Sequence, residues 1–192
     1  MGKLVVTEFI TLDGVIEDPG GSENLDRGGW ALQFDRGDEG NKFKLDEVLD
    51  AEAQLLGRVT YEGFAAAWPS RTDEFGFAER MNTMPKYVVS STLKDLTWDN
   101  STRIDGDVAE EVAKLKEQVA GEILVAGSAM LVRALVENDL VDELRLMVFP
   151  TVLGGGKRLF GESASAKTFG LVESRPVGDD GVVILTYEPA KS

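Results

Sequence analysis

The stretch LLGRVTYEGF, Leu55 to Phe64, ends an apolar run on a glycine and then places an arginine and a threonine at the next turn. One interpretation is a buried strand followed by a capped helix, because a hydroxyl at a helix start is commonly a cap. The other is a phosphate site, in which Gly57 admits a close approach of the backbone and Arg58 and Thr60 supply charge and a hydroxyl. Both interpretations remain open for this stretch taken alone.

Two further apolar runs end in a similar way. The run YVV is followed by Ser90, Ser91 and Thr92, and the run ILVA is followed by Gly127 and Ser128 at the start of a predicted helix. The carboxyl ends of parallel strands meet at one edge of a sheet, where helix N-termini point spare N–H groups outward. Three such endings together predict an extended phosphate-bearing ligand such as a dinucleotide.

Strands and helices are predicted to alternate along most of the chain. The first strand lies in KLVVTEFITLDGVI and ends at a turn at Asp13, and the last two strands, KTFGLVESRPV and GVVILTYEP, flank GDDG as a hairpin. Helices are predicted for EGNKFKLDEVLDAEA, VTYEGFAAAW and DVAEEVAKLKEQVAGE, the last with Gly121 as its C-cap. We therefore predict one α/β domain over residues 1–192, a three-layer, mostly parallel twisted sheet flanked by helices, with an antiparallel C-terminal hairpin.

The composition narrows the range of functions. The chain of 192 residues has a net charge of −14, which disfavours nucleic acid and anionic membranes as partners. It has no cysteine and no histidine, so thiolate nucleophiles, the commonest general base and the usual transition-metal ligands are missing, and we expect no metal site. Its first residues, MGKLVVTEFI, do not resemble a secretory signal, and a cytoplasmic location is expected.

Three familiar motifs are not matched. The loop containing GGGKRLF is not a P-loop, because Thr151 occupies the first glycine position and Arg158 follows Lys157 where a Ser or Thr is required. VAGSAM is not a nucleophile elbow, because Ala126 and Met130 replace its two glycines. No GxGxxG opens the first strand–helix unit, so a dinucleotide would lie across a different set of strand ends.

The order of five motifs resembles the dihydrofolate reductase superfamily: TLDGVI, LLGRVTYEGF, YVVSSTL, ILVAGSAMLVRALVENDLVDEL and FPTVLGGGKRLF. It is most similar to stand-alone relatives of the C-terminal reductase domain of the bacterial riboflavin-biosynthesis deaminase-reductase. The resemblance spans Lys3 to Glu188 and implies NADPH lying across the sheet, with hydride passing to a pterin- or pyrimidine-like substrate. It also implies a homodimer paired through the C-terminal hairpin.

The resemblance assigns cofactor contacts residue by residue. It places the phosphates at Gly57, Arg58 and Thr60, and the adenosine ribose with its 2′-phosphate at Ser90 and Ser91. The pyrophosphate would be cradled by Gly127, Ser128, Ala129 and Met130, with Leu131 nearby. The nicotinamide would be approached by Val15 and Ile16. The family spacing puts Asn41 where dihydrofolate reductases carry a carboxylate, which argues against folate as the substrate.

Several residues are candidates for the group that donates a proton to the substrate. Asp13 is the leading candidate for the catalytic acid, although an Asp-Gly pair equally fits a turn in which the carboxylate bonds its own backbone. Glu39 and Asp46 are the next candidates. Trp30 and Phe34 are candidates for stacking on a flat substrate, although aromatic residues in a loop often anchor it instead. Lys157 or Arg158 could contact an anionic substrate, or could be solvated.

Two functions from different classes are consistent with the sequence. The first is an NADPH-dependent oxidoreductase with a small heterocyclic or carbonyl substrate, in which the cofactor supplies the hydride and the protein supplies position. The second is a dimeric NADP(H)-binding protein without turnover. A purely structural dimer would make the three hydroxyl-rich strand ends coincidental.

Overall fold

The structure is a computed structural model that describes residues 1–162 and 165–190. Its strands are β1 (Lys3–Thr11), β2 (Ala51–Gly57), β3 (Lys86–Val89), β4 (Ser101–Ile104), β5 (Glu122–Ala126), β6 (Glu143–Phe149), β7 (Phe169–Val177) and β8 (Val182–Pro189). They form one sheet in the order β4-β3-β2-β5-β1-β6-β8-β7. The pairs from β4 to β6 are parallel, whereas β8 is antiparallel to β6 and β7. The predicted mostly parallel sheet with an antiparallel C-terminal hairpin is confirmed.

Helices cover both faces of the sheet. They are α1 (Gly37–Asp50), α2 (Arg58–Ala67), α3 (Phe77–Thr83), α4 (Val108–Gln118) and α5 (Ala129–Glu137), with a short 3-10 helix at Trp30–Gln33. Successive side chains of β1 point to opposite faces, so Leu4 and Val6 pack under α4 and α5 while Val5 packs under α1, α2 and α3. The predicted three layers are therefore present. None of the described helices is long and apolar enough to cross a membrane.

A third apolar cluster lies beside the hairpin and is built around Phe149 at the end of β6. The rings of Phe9 and Trp30 meet that of Phe149 edge to face, with centroids 5.3 and 5.5 Å away, and Phe34 lies at 6.0 Å. This cluster fixes the loop between β1 and α1, which the sequence indicates only as a long Gly- and Asp-rich segment.

Two local predictions need correction, and two short elements were not predicted. The helix predicted over residues 39–53 ends at Asp50, because Ala51 and Ala53 are buried in β2. Gly121 is not a C-cap, since α4 ends at Gln118 with an extended cap residue. Instead, an added Cβ at Gly121 would lie 2.8 Å from the Glu52 side chain, whose carboxylate accepts the Gly121 N–H. Helix α3 and strand β4 were not predicted, because both are short and β4 (STRI) is largely polar.

Candidate functional site

The strand ends singled out in the sequence lie at one edge of the sheet. Gly57, the last residue of β2, pairs with Val89, the last residue of β3. On the other side, β2 pairs with β5, which ends at Ala126. The segments that begin at Arg58, Ser90 and Gly127 therefore leave the sheet side by side, as the alternation of strands and helices predicts.

Two of these segments are directly bonded through Ser128. The Ser128 hydroxyl accepts the Gly57 N–H at 2.9 Å and lies 3.0 Å from the Thr60 hydroxyl oxygen. Gly127 has φ +62°, and a Cβ added there would lie 3.0 Å from the same Thr60 oxygen. Ser128 itself is left-handed, at φ 61°. Glycine at position 127 thus satisfies both the backbone conformation and the close packing of the two helix starts.

Helices α2 and α5 start at this edge without side-chain caps. Helix α4, by contrast, begins with Asp107, whose carboxylate accepts the Glu110 N–H. The first N–H groups of an α-helix have no partner within the helix, and their dipoles favour an anion. Because the Thr60 and Ser128 hydroxyls bond to one another instead of capping, the capping interpretation of the Gly57 turn is wrong. No side chain among the described residues caps either of these two neighbouring helix starts, so both could accept negatively charged oxygens.

Arg58 lies at the first position of α2 and is exposed. Its guanidinium pairs with Glu62 at 3.0 Å, one helical turn away. Both residues line an open groove of about 490 Å³ between α2 and the loop after β3, and Lys94 is on the far wall. Lys94 was missed in the sequence, because a lysine in a polar loop gives no signal until the fold places it across from Arg58.

The two serines after β3 differ in their surroundings. Ser90 is nearly buried, and its hydroxyl oxygen accepts the N–H groups of Thr92 and Leu93 at 3.2 and 3.0 Å. Ser91 is exposed. Ser90 therefore shapes the loop that forms one wall of the groove and retains its own hydroxyl proton as a donor, while Ser91 is open to solvent.

The residues at the start of α5 that were predicted to contact the cofactor differ in their exposure to solvent. Leu131 is 6% exposed and belongs to the core beneath α4 and α5. Met130 is 84% exposed, an unusual position for a large apolar side chain. Ala129 is half-buried at the first turn. A ligand at this helix start would therefore meet Met130 and the backbone, whereas the Leu131 side chain packs inward.

Asp13 is bonded to its surroundings rather than free to transfer a proton. Its carboxylate accepts the Thr11 hydroxyl at 2.6 Å and the N–H groups of Leu153 and Gly154 at 3.2 and 2.8 Å. These bonds, that to Thr11 foremost, lower the pKa of Asp13 to about 2. Asp13 is thus an ionised anchor for the loop after β6 that contains the glycines at 154–156 (the glycine loop). Its prediction as the catalytic acid is corrected on that ground.

The anchor can be tested by its acid dependence. Because the pKa of Asp13 is lower in the folded protein than its ordinary value of 3.8, its stabilisation is present above that value. It is lost as the pH falls toward about 2. We expect Asp13→Asn to melt at a lower temperature than the parent at pH 6, and the difference to shrink in acid. Asp26→Asn, in the exposed part of the neighbouring loop, is the control. It should change neither the melting temperature at pH 6 nor its dependence on pH. Equal melting curves for Asp13→Asn and the parent at pH 6 would refute the anchor.

Val15 and Ile16 lie beneath the glycine loop. Val15 is 0% exposed, and its N–H donates to the Thr11 hydroxyl while its carbonyl accepts the Thr11 N–H. Its side chain therefore does not face a cleft, contrary to the predicted approach to a nicotinamide. Ile16 is 8% exposed, and its N–H donates to the Lys157 carbonyl.

Trp30 is an anchor for its loop, as the alternative interpretation holds. It is 1% exposed, and its indole N–H donates to the Glu17 carbonyl at 2.8 Å. Phe34 is half-buried against Phe149. The prediction that Trp30 stacks on a substrate is wrong because its ring is enclosed, and Phe34 packs in the same cluster.

The remaining charged candidates are exposed or paired. Glu39 is exposed in the first turn of α1, and Asp46 pairs with Lys42 on the same helix. Lys157 pairs with Glu17 at 3.3 Å, and Arg158 donates to the Asp13 carbonyl at 2.9 Å. Both cations of the glycine loop thus help to hold that loop in place.

Comparison with known protein families gives a match over most of the chain. The RibD C-terminal domain matches residues 2–183. The chain belongs to this family. The chain is also similar to YyaP of Bacillus subtilis (strain 168), with 28% identity over 188 residues, and the match covers 96% of this chain and 94% of YyaP.

Two solved structures share the fold. Dihydrofolate reductase from Enterococcus faecalis, complexed with NADP(H), has a TM-score of 0.64 and 18% identity, and the match covers 98% of this chain and 97% of that chain. RibD from Acinetobacter baumannii also has a TM-score of 0.64 and 18% identity, and the match covers 99% of this chain but 58% of that chain. This RibD C-terminal domain family member therefore has a dihydrofolate reductase-like fold, as the resemblance implies.

Proposed function

We propose that the protein is an NADPH-dependent oxidoreductase that transfers hydride to a small heterocyclic substrate, pterin- or ribosylaminopyrimidine-like, or to a carbonyl compound. The observation that carries the proposal is the pair of uncapped helix starts at α2 and α5, joined by the hydrogen bond from the Gly57 N–H to Ser128. Membership of the RibD C-terminal domain family and the Enterococcus faecalis relative with bound NADP(H) support the same cofactor.

The residues at this edge fit a dinucleotide phosphate. Its pyrophosphate matches the free N–H groups at the two helix starts, which favour negatively charged oxygens. A third phosphate could pair with Arg58 and Lys94 in the groove, where it would compete with the carboxylates of Glu62 and Asp95. When bound, NADPH would supply the hydride, and the protein would bind and orient both partners. The one-domain organisation, the homodimer through the hairpin and the cytoplasmic location stay predictions.

A fluorescence titration tests the proposed cofactor. We expect NADPH to bind with a dissociation constant of about 1–10 µM, equivalent to about 7–8 kcal/mol. NADH should bind at least about tenfold more weakly, since it lacks the phosphate that the groove would hold. The readout is quenching of tryptophan emission, chiefly from Trp98, which packs against Tyr61 and Phe64 of α2, and from Trp68 at the end of that helix. Equal affinity for the two nucleotides would contradict the role of the groove, and no binding of either would refute the proposed function.

A second candidate, an NADP(H)-binding protein without turnover, is favoured by the commitment of Asp13 to the glycine loop. Oxidation of NADPH with a panel of pterins, ribosylaminopyrimidines and carbonyl compounds separates the two. We infer turnover because the cofactor supplies the hydride and a bound water can deliver the proton.

A further inference from the structure

Glu8 is a carboxyl group inside the sheet, in the last half of β1. It is two residues from both Val6 and Ile10, which pack in the core beneath α4 and α5, and side chains two residues apart share a face of a strand. Glu8 is 5% exposed. Its Oε1 atom is buried without a hydrogen-bond partner among the residues that the structure describes. An ionised carboxylate left in this condition is costly, whereas a neutral acid is tolerated.

The charges around Glu8 come from few elements. The N–H of Gly127, which directly follows β5, and Lys44 of α1 lower the pKa of the carboxyl, whereas Glu47 of α1 raises it. From β6 the residue paired with Glu8 is the apolar Leu146. Burial outweighs these influences and raises the pKa of Glu8 well above the ordinary value.

Gly127 connects Glu8 to the candidate anion site. It directly precedes Ser128, whose hydroxyl joins the two helix starts. Because Thr7 pairs with Ala126 in the sheet, the next residues, Glu8 and Gly127, are neighbours, and the Glu8 carboxyl lies near the turn at which α5 begins. The charge of that group also acts on any anion bound above it, through an interior of low dielectric.

We propose that Glu8 sets the charge beneath the dinucleotide site, and that loss of its proton places a negative charge under the Gly127 turn and weakens binding of an anionic cofactor. This inference rests on the proposed function. A protonated carboxyl does not repel phosphate, and the protein should lose affinity for NADPH as the pH rises.

The direction of the pH effect follows from the raised pKa. Below that value Glu8 is neutral and binding is at its strongest, and above it binding weakens. Glu8→Gln keeps the size of the side chain and an acceptor oxygen, but has no acidic proton to lose. It therefore stands for the permanently neutral form.

The experiment measures NADPH affinity between about pH 6 and pH 10 for the parent and Glu8→Gln by the same titration. We expect the parent to lose on the order of tenfold in affinity toward alkaline pH, equivalent to about 1.4 kcal/mol, and Glu8→Gln to lose little. Glu137→Gln, at the far end of α5 and exposed, removes one negative charge elsewhere and should follow the parent. An infrared difference spectrum of the parent against Glu8→Gln should show the carbonyl stretch of a protonated acid at pH 7.

The outcomes separate this inference from the proposed function. A parent that binds NADPH with the same pH profile as Glu8→Gln overturns the role of Glu8 and leaves the cofactor site intact. So does an infrared difference showing only an ionised carboxylate at pH 7. A parent and a folded Glu8→Gln that bind no NADPH at any pH refute the proposed function itself, and the role of Glu8 with it.

Discussion

Replacing Phe149 by alanine should lower the free energy of unfolding by about 3–5 kcal/mol, the usual cost of deleting a buried ring. Phe149 is 0% exposed, and the rings of Phe9, Trp30 and Phe34 surround it. The cavity left behind cannot close easily, because Phe9 and Phe149 are both held in strands of the central sheet. A change of this size corresponds to a fall of about 6–20 °C in melting temperature for a chain of this length.

The measurement is denaturant unfolding followed by circular dichroism. Phe75→Ala is the matched control, since Phe75 is 73% exposed and its loss should change the free energy of unfolding by less than about 0.5 kcal/mol. Tryptophan emission should also shift to longer wavelength in the Phe149 variant, because Trp30 becomes more exposed to solvent. A cost below about 1 kcal/mol for Phe149→Ala would contradict the anchoring of the loop by this cluster.

The sequence-based predictions and the structure agree best where a glycine or a hydroxyl residue lies at the end of a strand. Gly57, Ser90 and Gly127 could be predicted at one sheet edge because parallel strands share the direction in which they end. The bond between the Gly57 N–H and Ser128 joins residues 71 positions apart. No local pattern indicates such a pairing, and only the fold shows that the Ser128 hydroxyl connects two helix starts rather than capping one.

The predictions failed where one side chain had two local interpretations and a distant segment decided between them. Asp13 is ionised because the N–H groups of Leu153 and Gly154 reach it, and Trp30 is enclosed because β6 ends on Phe149. The importance of Glu8 could not be predicted from the sequence for a related reason. In the sequence it is one acid within an apolar strand, and its importance depends on the burial and the neighbour that the sheet provides.

Replacing Arg58 by alanine should weaken NADPH binding by about 10- to 100-fold, the range expected for losing a hydrogen-bonded charge contact to phosphate. NADH should lose less, because it carries no phosphate in the groove that Arg58 and Lys94 line. The loss should also diminish at high salt, since the Arg58 side chain is 45% exposed and its charge is screened there. Titrations with both nucleotides at low and high salt measure all three effects.

A substitution that is expected to tighten NADPH binding provides a sharper test of the same site. Glu62 pairs with Arg58 at 3.0 Å and lines the same groove, so an incoming phosphate must compete with its carboxylate. Glu62→Gln should therefore tighten NADPH binding several-fold by removing that competition and one repulsive charge. Arg71→Ala removes an exposed cation that lies over the Trp68 ring and should leave the affinity unchanged. If Arg58→Ala and Arg71→Ala weaken binding equally, the effect belongs to net charge and not to the groove.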